Sequence, residues 1–150
     1  AKGAIAAIDD RGNLISVVDM PMKDFFGKQR VDGEKLVEIL GELYDPLPLD
    51  VNAMWAVVIE HVHAMPGQGV TSMFSFGGAF HSVCAIADTF TEPKFVRPAT
   101  WKKYFSLAKD KYAALELARV KFPSAELHLK KHDGRAEALL IALYALENKL

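Results

Sequence analysis

Apolar positions along the chain fall into runs whose spacing changes from segment to segment. Residues 4–8 and 14–20 are short apolar runs, the second rich in β-branched residues. Asp9-Asp10-Arg11-Gly12-Asn13 lies between them and has turn chemistry, so this stretch predicts a β-hairpin. Residues 21–33 are polar and read as irregular. Leu36, Val37, Ile39, Leu40 and Leu43 then recur at helical spacing, and Asp45-Pro46-Leu47-Pro48 stops that helix. Residues 54–59 are continuously apolar and predict a buried, parallel strand ending in Glu60. Apolar or small residues at Met73, Gly77, Phe80, Cys84 and Ala87 predict a helix over 71–89. A short strand at 95–97 follows, with helices over 99–105, 109–121 and 135–148.

The order ββ, α, β, α, β, α, α, α predicts one α/β domain over residues 1–150, with helices flanking a central mixed sheet. The chain has 150 residues, 51% apolar and 25% charged, the balance of a soluble globular protein. No apolar run approaches the roughly 18 residues of a membrane span, and the start does not read as a signal peptide. Cys84 is the single cysteine, which excludes an internal disulfide and a cysteine-rich zinc site. Together these predict a cytoplasmic protein with no membrane partner.

Charge changes this picture more than composition does. The net charge is -1, but residues 1–93 carry 6 basic and 13 acidic side chains, and residues 94–131 carry 10 basic and 3 acidic. Segregated positive charge points either to a polyanion partner or to a solvated basic face.

Three segments carry candidate chemistry. Glu60 stands at the end of an apolar strand, the edge of an α/β sheet where ligands gather. Asp133 and Glu137 are four residues apart, so they share a helix face, and a divalent cation would relieve their repulsion. The competing reading makes Asp133 a helix N-cap and Glu137 a carboxylate near the positive helix end. His61 and His63 face away from Glu60 in an extended chain, so the three do not converge. His132 beside Asp133 could orient a water or a phosphate. Met65-Pro66-Gly67-Gln68-Gly69-Val70-Thr71-Ser72 puts backbone amides, Gln68 and Ser72 at a helix start, where a phosphate backbone can approach. It lacks the third glycine and the Lys-Ser/Thr of a phosphate loop, and no nucleotide or other small-molecule cofactor is expected. Cys84 reads as core. Phe74, Phe76 and Phe80 read as core or as rings able to stack on a base.

Val57-Val58-Ile59-Glu60 followed by Met65-Pro66-Gly67-Gln68-Gly69-Val70-Thr71-Ser72-Met73-Phe74 resembles the second acidic motif of RuvC-type Holliday junction resolvases, in the branch typical of bacteriophages. Pro98-Ala99-Thr100-Trp101-Lys102-Lys103 with Lys109-Asp110-Lys111 resembles that family's basic DNA-binding segment. Asp133-Gly134-Arg135-Ala136-Glu137-Ala138-Leu139-Leu140-Ile141-Ala142 resembles its last acidic motif. The resemblance implies an RNase H-like fold and a homodimer that nicks two strands of a four-way junction symmetrically. It also implies two Mg²⁺ ions, replaceable by Mn²⁺, held by four carboxylates. One ion would activate the attacking water and the other stabilise the leaving oxygen. Glu60, Asp133 and Glu137 match three of those carboxylates, with Glu137 in place of the commoner aspartate. Lys102 and Lys111 match lysines near the scissile phosphate. Gln68, Ser72, Arg97, Lys102, Lys103, Lys109, Lys111 and Arg135 are the expected DNA contacts.

The family's first metal ligand is an aspartate in Ile-Asp-Pro-Gly at the end of a preceding strand. Ala1 stands where that motif would have ended, so the strand and its aspartate are expected to be missing from this sequence, and a molecule that truly began at Ala1 would be expected to bind metal weakly and cleave little. Asp9 is the nearest stand-in, although its segment reads as a turn. Two readings of function follow: a metal-dependent, structure-selective endonuclease that resolves four-way junctions, and a catalytically inactive branched-DNA-binding protein of the same fold. An unrelated α/β domain with a solvated basic face is the third.

Overall fold

The computed structural model describes residues 3–45, 55–107, 110 and 112–150. In chain order its elements are β1 (Ala4–Ile8), β2 (Leu14–Asp19), β3 (Met22–Phe25), β4 (Lys28–Val31), α1 (Gly33–Tyr44), β5 (Val58–Glu60), α2 (Val70–Asp88), β6 (Lys94–Val96), α3 (Pro98–Tyr104), α4 (Ala113–Lys121) and α5 (Asp133–Glu147). A single 3-10 turn, Lys130–His132, leads into α5. The architecture is mixed α/β. Among the described residues the strands form three two-stranded sheets, β1–β2, β3–β4 and β5–β6, in place of one central sheet. Two of these pairings join strands adjacent in sequence, so most of the ladder is satisfied locally.

The chain divides into two compact units: Ala1–Met20 with Val96–Leu150, and Pro21–Phe95. In the first, β1 and β2 pair antiparallel with Ala4 opposite Asp19 and Ala6 opposite Val17, and a bulge separates Ala7 from Ile8. The predicted turn forms because the Asp9 carboxylate accepts the backbone N–H groups of Arg11 and Asn13 at 2.9 and 2.8 Å. Gly12 sits at φ +81°, a conformation that favours glycine.

Helix α5 is the centre of this unit and packs against β1 and α4. Its residues Ala136, Leu139, Leu140, Ile141, Leu143 and Ala145 are buried, joined by Trp101 of α3, Leu115 and Ala118 of α4, and Leu127. A helix buried on several faces needs little amphipathic bias, which is why apolar residues crowd the sequence from Ala138 to Ala145. Gly134 lies against the backbone of Gly3, and a Cβ added there would come within 3.5 Å of it.

In the second unit, α1 starts at Asp32, whose carboxylate accepts the Lys35 backbone N–H at 3.3 Å and lies 3.2 Å from Lys23 Nζ. Leu36 and Leu40 are its buried face, and α1 packs on α2. Helix α2 runs 19 residues without an Asp, Glu, Lys or Arg before Asp88, yet only Ala87 is buried. The expectation that no segment is long and apolar enough to span a membrane is corrected here: α2 meets that test of length and composition, with a mean hydropathy of 1.3. Its serines, threonine and histidine break up the apolar run without adding formal charge. Cys84 is only half-buried, and that burial pushes its thiol pKa up.

Two predicted elements differ. The strand expected over 54–59 is reduced to Val58–Glu60 and is half-buried, while Met54 lies outside the described residues. β5 has β6 as its only neighbour in its sheet, with the Lys94 N–H donating to the Val57 carbonyl at 2.9 Å. Residues 21–33, expected to be irregular, contain the β3–β4 hairpin, with Lys23 opposite Arg30 and Phe25 opposite Lys28. Its two loop residues, Phe26 and Gly27, have φ of 52° and 74°. Positive φ at both positions is the type I′ geometry that asparagine and glycine usually fill. Phenylalanine there costs about 1–3 kcal/mol of backbone strain.

Candidate functional site

In the first unit, α3 and α5 bring together parts of two sequence motifs. Pro98 opens α3 at a position where its missing N–H costs nothing, and Arg97 precedes it as an exposed N-cap. Trp101 is fully buried and anchors the helix. The next residue, Lys102, leans over the Trp101 ring at 5.1 Å and places its Nζ 3.2 Å from Glu137 Oε1. Lys103 is exposed.

On α5, Asp133 and Glu137 lie one turn apart on the same face. Asp133 is the first helical residue and not the N-cap that one reading expected, because the 3-10 turn places His132 at the cap position. The Asp133 Oδ1 accepts the Gly134 N–H at 2.9 Å. Asp133 and Glu137 are both half-buried, and the Lys102 and Glu137 side chains keep 44% and 36% of their exposure. The cluster is therefore two carboxylate groups and one ammonium, accessible from solvent. Carboxylate oxygens suit Mg²⁺, and a lysine beside them suits a phosphate oxygen. Among the described residues of this unit no third His, Cys, Asp or Glu joins the two carboxylates to make a metal-binding group.

Arg135 projects from the same helix turn, but its guanidinium is occupied. Its Nε and Nη2 donate to the two oxygens of Asp19 at 2.7 and 3.1 Å, and Nη1 lies 3.3 Å from Glu126 Oε2. The Arg135 hydrogen bond holds the Asp19 carboxyl below its ordinary range despite some desolvation. Sequence reasoning missed Asp19 and Glu126 as partners of Arg135. Asp19 is 116 residues away, and no spacing rule connects the two.

His132 is buried, and its Nδ1 accepts the Leu129 N–H at 3.4 Å. Burial, then the charges of Arg135 and His128, hold its pKa below 6.5. It braces the entry to α5 through that hydrogen bond.

In the second unit, Glu60 is the half-buried last residue of β5. His61 and His63 follow beyond the strand and are exposed. They line a cleft of about 260 Å³ with Met73, Phe76, Phe80 and His81. His61, Phe80 and Phe95 meet edge to face or tilted, with centroids 6.1–6.4 Å apart. Gln68 closes the loop on itself: its side-chain oxygen accepts the Met65 N–H at 3.0 Å. Ser72 is exposed in the first turn of α2, and Phe74 is 85% exposed. Lys109 and Lys111 lie outside the described residues.

No family model matches the chain, and no curated protein matches it in sequence.

Proposed function

We propose that this protein is a metal-dependent, structure-selective DNA endonuclease of the RuvC type that resolves four-way junctions by paired symmetric nicks. The RNase H-like fold is part of the same proposal. The observation that carries it is the Lys102–Glu137 contact of 3.2 Å, with Asp133 one turn away on α5. Two segments singled out for separate reasons, a basic one and an acidic one, meet in one solvent-accessible cluster. Charge segregation supports the same reading, since residues 94–131 carry 10 basic and 3 acidic side chains.

Asp133 and Glu137 are the proposed Mg²⁺ ligands, with Mn²⁺ expected to substitute, and Glu60 is the further carboxylate that the family resemblance implies. The metal supplies Lewis-acid stabilisation of charge on the phosphate. Lys102 binds a non-bridging phosphate oxygen and neutralises charge that builds as water attacks phosphorus in line with the leaving oxygen. Arg97, Lys103, Lys109 and Lys111 hold the backbone by charge, so affinity falls steeply with salt. Gln68 and Ser72 contact the strand near β5. Arg135, whose donors Asp19 and Glu126 hold, fixes the first turn of α5 beside the proposed DNA contacts. Two copies of the chain act together in the cytoplasm, each cutting one strand.

A second reading, a branched-DNA-binding protein without nuclease activity, is favoured by one observation. Asp133 and Glu137 have no third acidic or histidine partner among the described residues of their unit.

The test is cleavage of a labelled four-way junction by the full-length gene product, with linear duplex as control and Mg²⁺ or EDTA present. Paired nicks that require Mg²⁺ and disappear in Glu60→Gln and Glu137→Gln are expected. Tight, salt-sensitive junction binding with no nicks under any divalent metal would replace the enzyme with the binding protein.

A further inference from the structure

The β3–β4 hairpin ends in an aromatic tip that nothing in its own fold explains. Phe26 is 90% exposed at φ 52°. It touches Phe25 edge to face, with centroids 4.7 Å apart. The tip is nonetheless well built. The Asp24 Oδ1 accepts the Gly27 N–H at 3.2 Å, and the Arg30 guanidinium lies 3.8 Å from the centroid of the Phe25 ring. The strand register puts Lys23, Phe25, Lys28 and Arg30 on one face. A strained and solvated phenylalanine is thus held at the end of a two-stranded ribbon, with cations behind it.

We propose that this tip is a stacking wedge. Phe26 lies against a nucleobase face exposed at the branch of the DNA, while Lys28 and Arg30 contact the flanking phosphates. The proposal rests on the endonuclease reading and names the part of the substrate that the hairpin recognises. Aromatic rings stack on any base, and a branch interrupts the continuous stack of a duplex, so it offers base faces that a linear duplex keeps covered. The cations match the charge of the phosphates on either side, and Arg30 already makes a cation–π contact with the Phe25 ring. An apolar side chain inserted at a base step unstacks it and bends the nucleic acid.

The experiment uses the full-length protein in EDTA, so that strands stay intact, with a four-way junction and a linear duplex of the same sequence as probes. Phe26→Asn places the residue that this turn prefers, so it keeps the hairpin and raises the melting temperature. It is expected to weaken junction binding about tenfold, or about 1.4 kcal/mol, and to leave duplex binding unchanged. Phe26→Trp is expected to retain junction affinity. Its added indole emission, measured against the wild-type background, should be quenched by the junction and not by the duplex. Junction affinity in Phe26→Asn equal to wild type, or an unquenched indole, overturns the wedge. Binding of vesicles containing phosphatidylserine that depends on Phe26, with no junction effect, overturns it in favour of a lipid surface. Nicking of junctions by wild type in Mg²⁺ is read separately. If nicking is present and Phe26→Asn behaves as wild type, the wedge alone falls; if wild type neither binds nor nicks junctions, both readings fall.

Discussion

The two units solve the problem of burying apolar surface in opposite ways. Of the seventeen buried apolar residues among those described, thirteen lie in the unit built on α5 and four in the unit of α1 and α2. Exposed large apolar side chains run the other way, with nine of fourteen in the second unit, Phe26, Phe74 and Val70 being the most exposed of these. The first unit therefore has the anatomy of a self-sufficient core. The second spends its aromatic residues on surface, which in a folded protein marks places where something else docks. The proposed metal ligands Asp133 and Glu137 stand on the rigid element, where small displacements are resisted. The proposed stacking groups stand on the hairpin.

The sharpest way to break this comparison is to remove a core side chain from α5. Leu139 is fully buried, and Leu139→Ala is expected to cost about 3–5 kcal/mol, the transfer loss plus the cavity left behind. Thermal unfolding followed by circular dichroism measures it. Hydrogen exchange sharpens it further: amides in the middle of α5 are expected to exchange at the slowest rate in the chain, and those of α2 at least tenfold faster through local opening. Equal protection along α2 and α5 would end the comparison.

The elements that the sequence announced are those whose stabilisation is local. The Asp9–Asn13 turn forms through its own Asp9 carboxylate, and α1 begins at its own Asp32 cap. Helices at 33–44, 70–88, 98–104 and 133–147 fall within two residues of their predicted bounds because apolar spacing and Pro or Asp punctuation set both ends. The β3–β4 hairpin was illegible for a physical reason. Its strands carry Lys, Asp, Gln and Arg in place of β-branched residues, and its turn is Phe-Gly where Asn-Gly is the familiar signal. At the candidate site, Asp133 and Glu137 on one face followed from helix geometry alone. The approach of Lys102 to Glu137 and the Asp19–Arg135 pair depend on how distant segments pack, which no local pattern encodes.

Arg135→Met tests the next largest effect. The side chain is 14% exposed and its stem packs, so methionine keeps much of the volume and loses the fork to Asp19. Asp19 and Glu126 remain largely solvated, at 64% and 65%, and survive unpaired, so the expected loss is about 1–2 kcal/mol. The acid response of the first unit carries the same chemistry with a definite sign. His132 is held below 6.5 by burial, so the unfolded chain takes up a proton there before the folded protein does. Its contribution is present above pH 6.5 and lost as pH falls. Asp19 is held below 3.8 by Arg135, so its contribution is lost only at lower pH, through its depressed folded value. Melting temperatures between pH 7.5 and 5.5 are expected to fall, and His132→Asn is expected to flatten that slope. A slope unchanged in His132→Asn would assign the acid response elsewhere.

The smallest effect on stability is expected at Phe74, and it is the most informative about the second unit. The ring is 85% exposed on α2, so Phe74→Ser should change folding stability by no more than about 0.5 kcal/mol. An exposed apolar helix is costly to leave in water, and the proposed action on two strands calls for two copies of the chain. α2 offers a second copy an apolar surface, with Val70 and Phe74 exposed one turn apart and Phe76 exposed on another side. Sedimentation equilibrium of the wild-type protein should then show a dimer, and Phe74→Ser with Phe76→Ser should shift it toward monomer without loss of helix content. Paired nicking should decay into single, uncoupled nicks in the same variant, because each active site would work alone. A wild-type monomer that partitions onto phospholipid vesicles, and releases when both rings are replaced, would assign α2 to a membrane surface. A dimer that survives both substitutions would place the contact on another face and leave the exposed rings of α2 to the DNA.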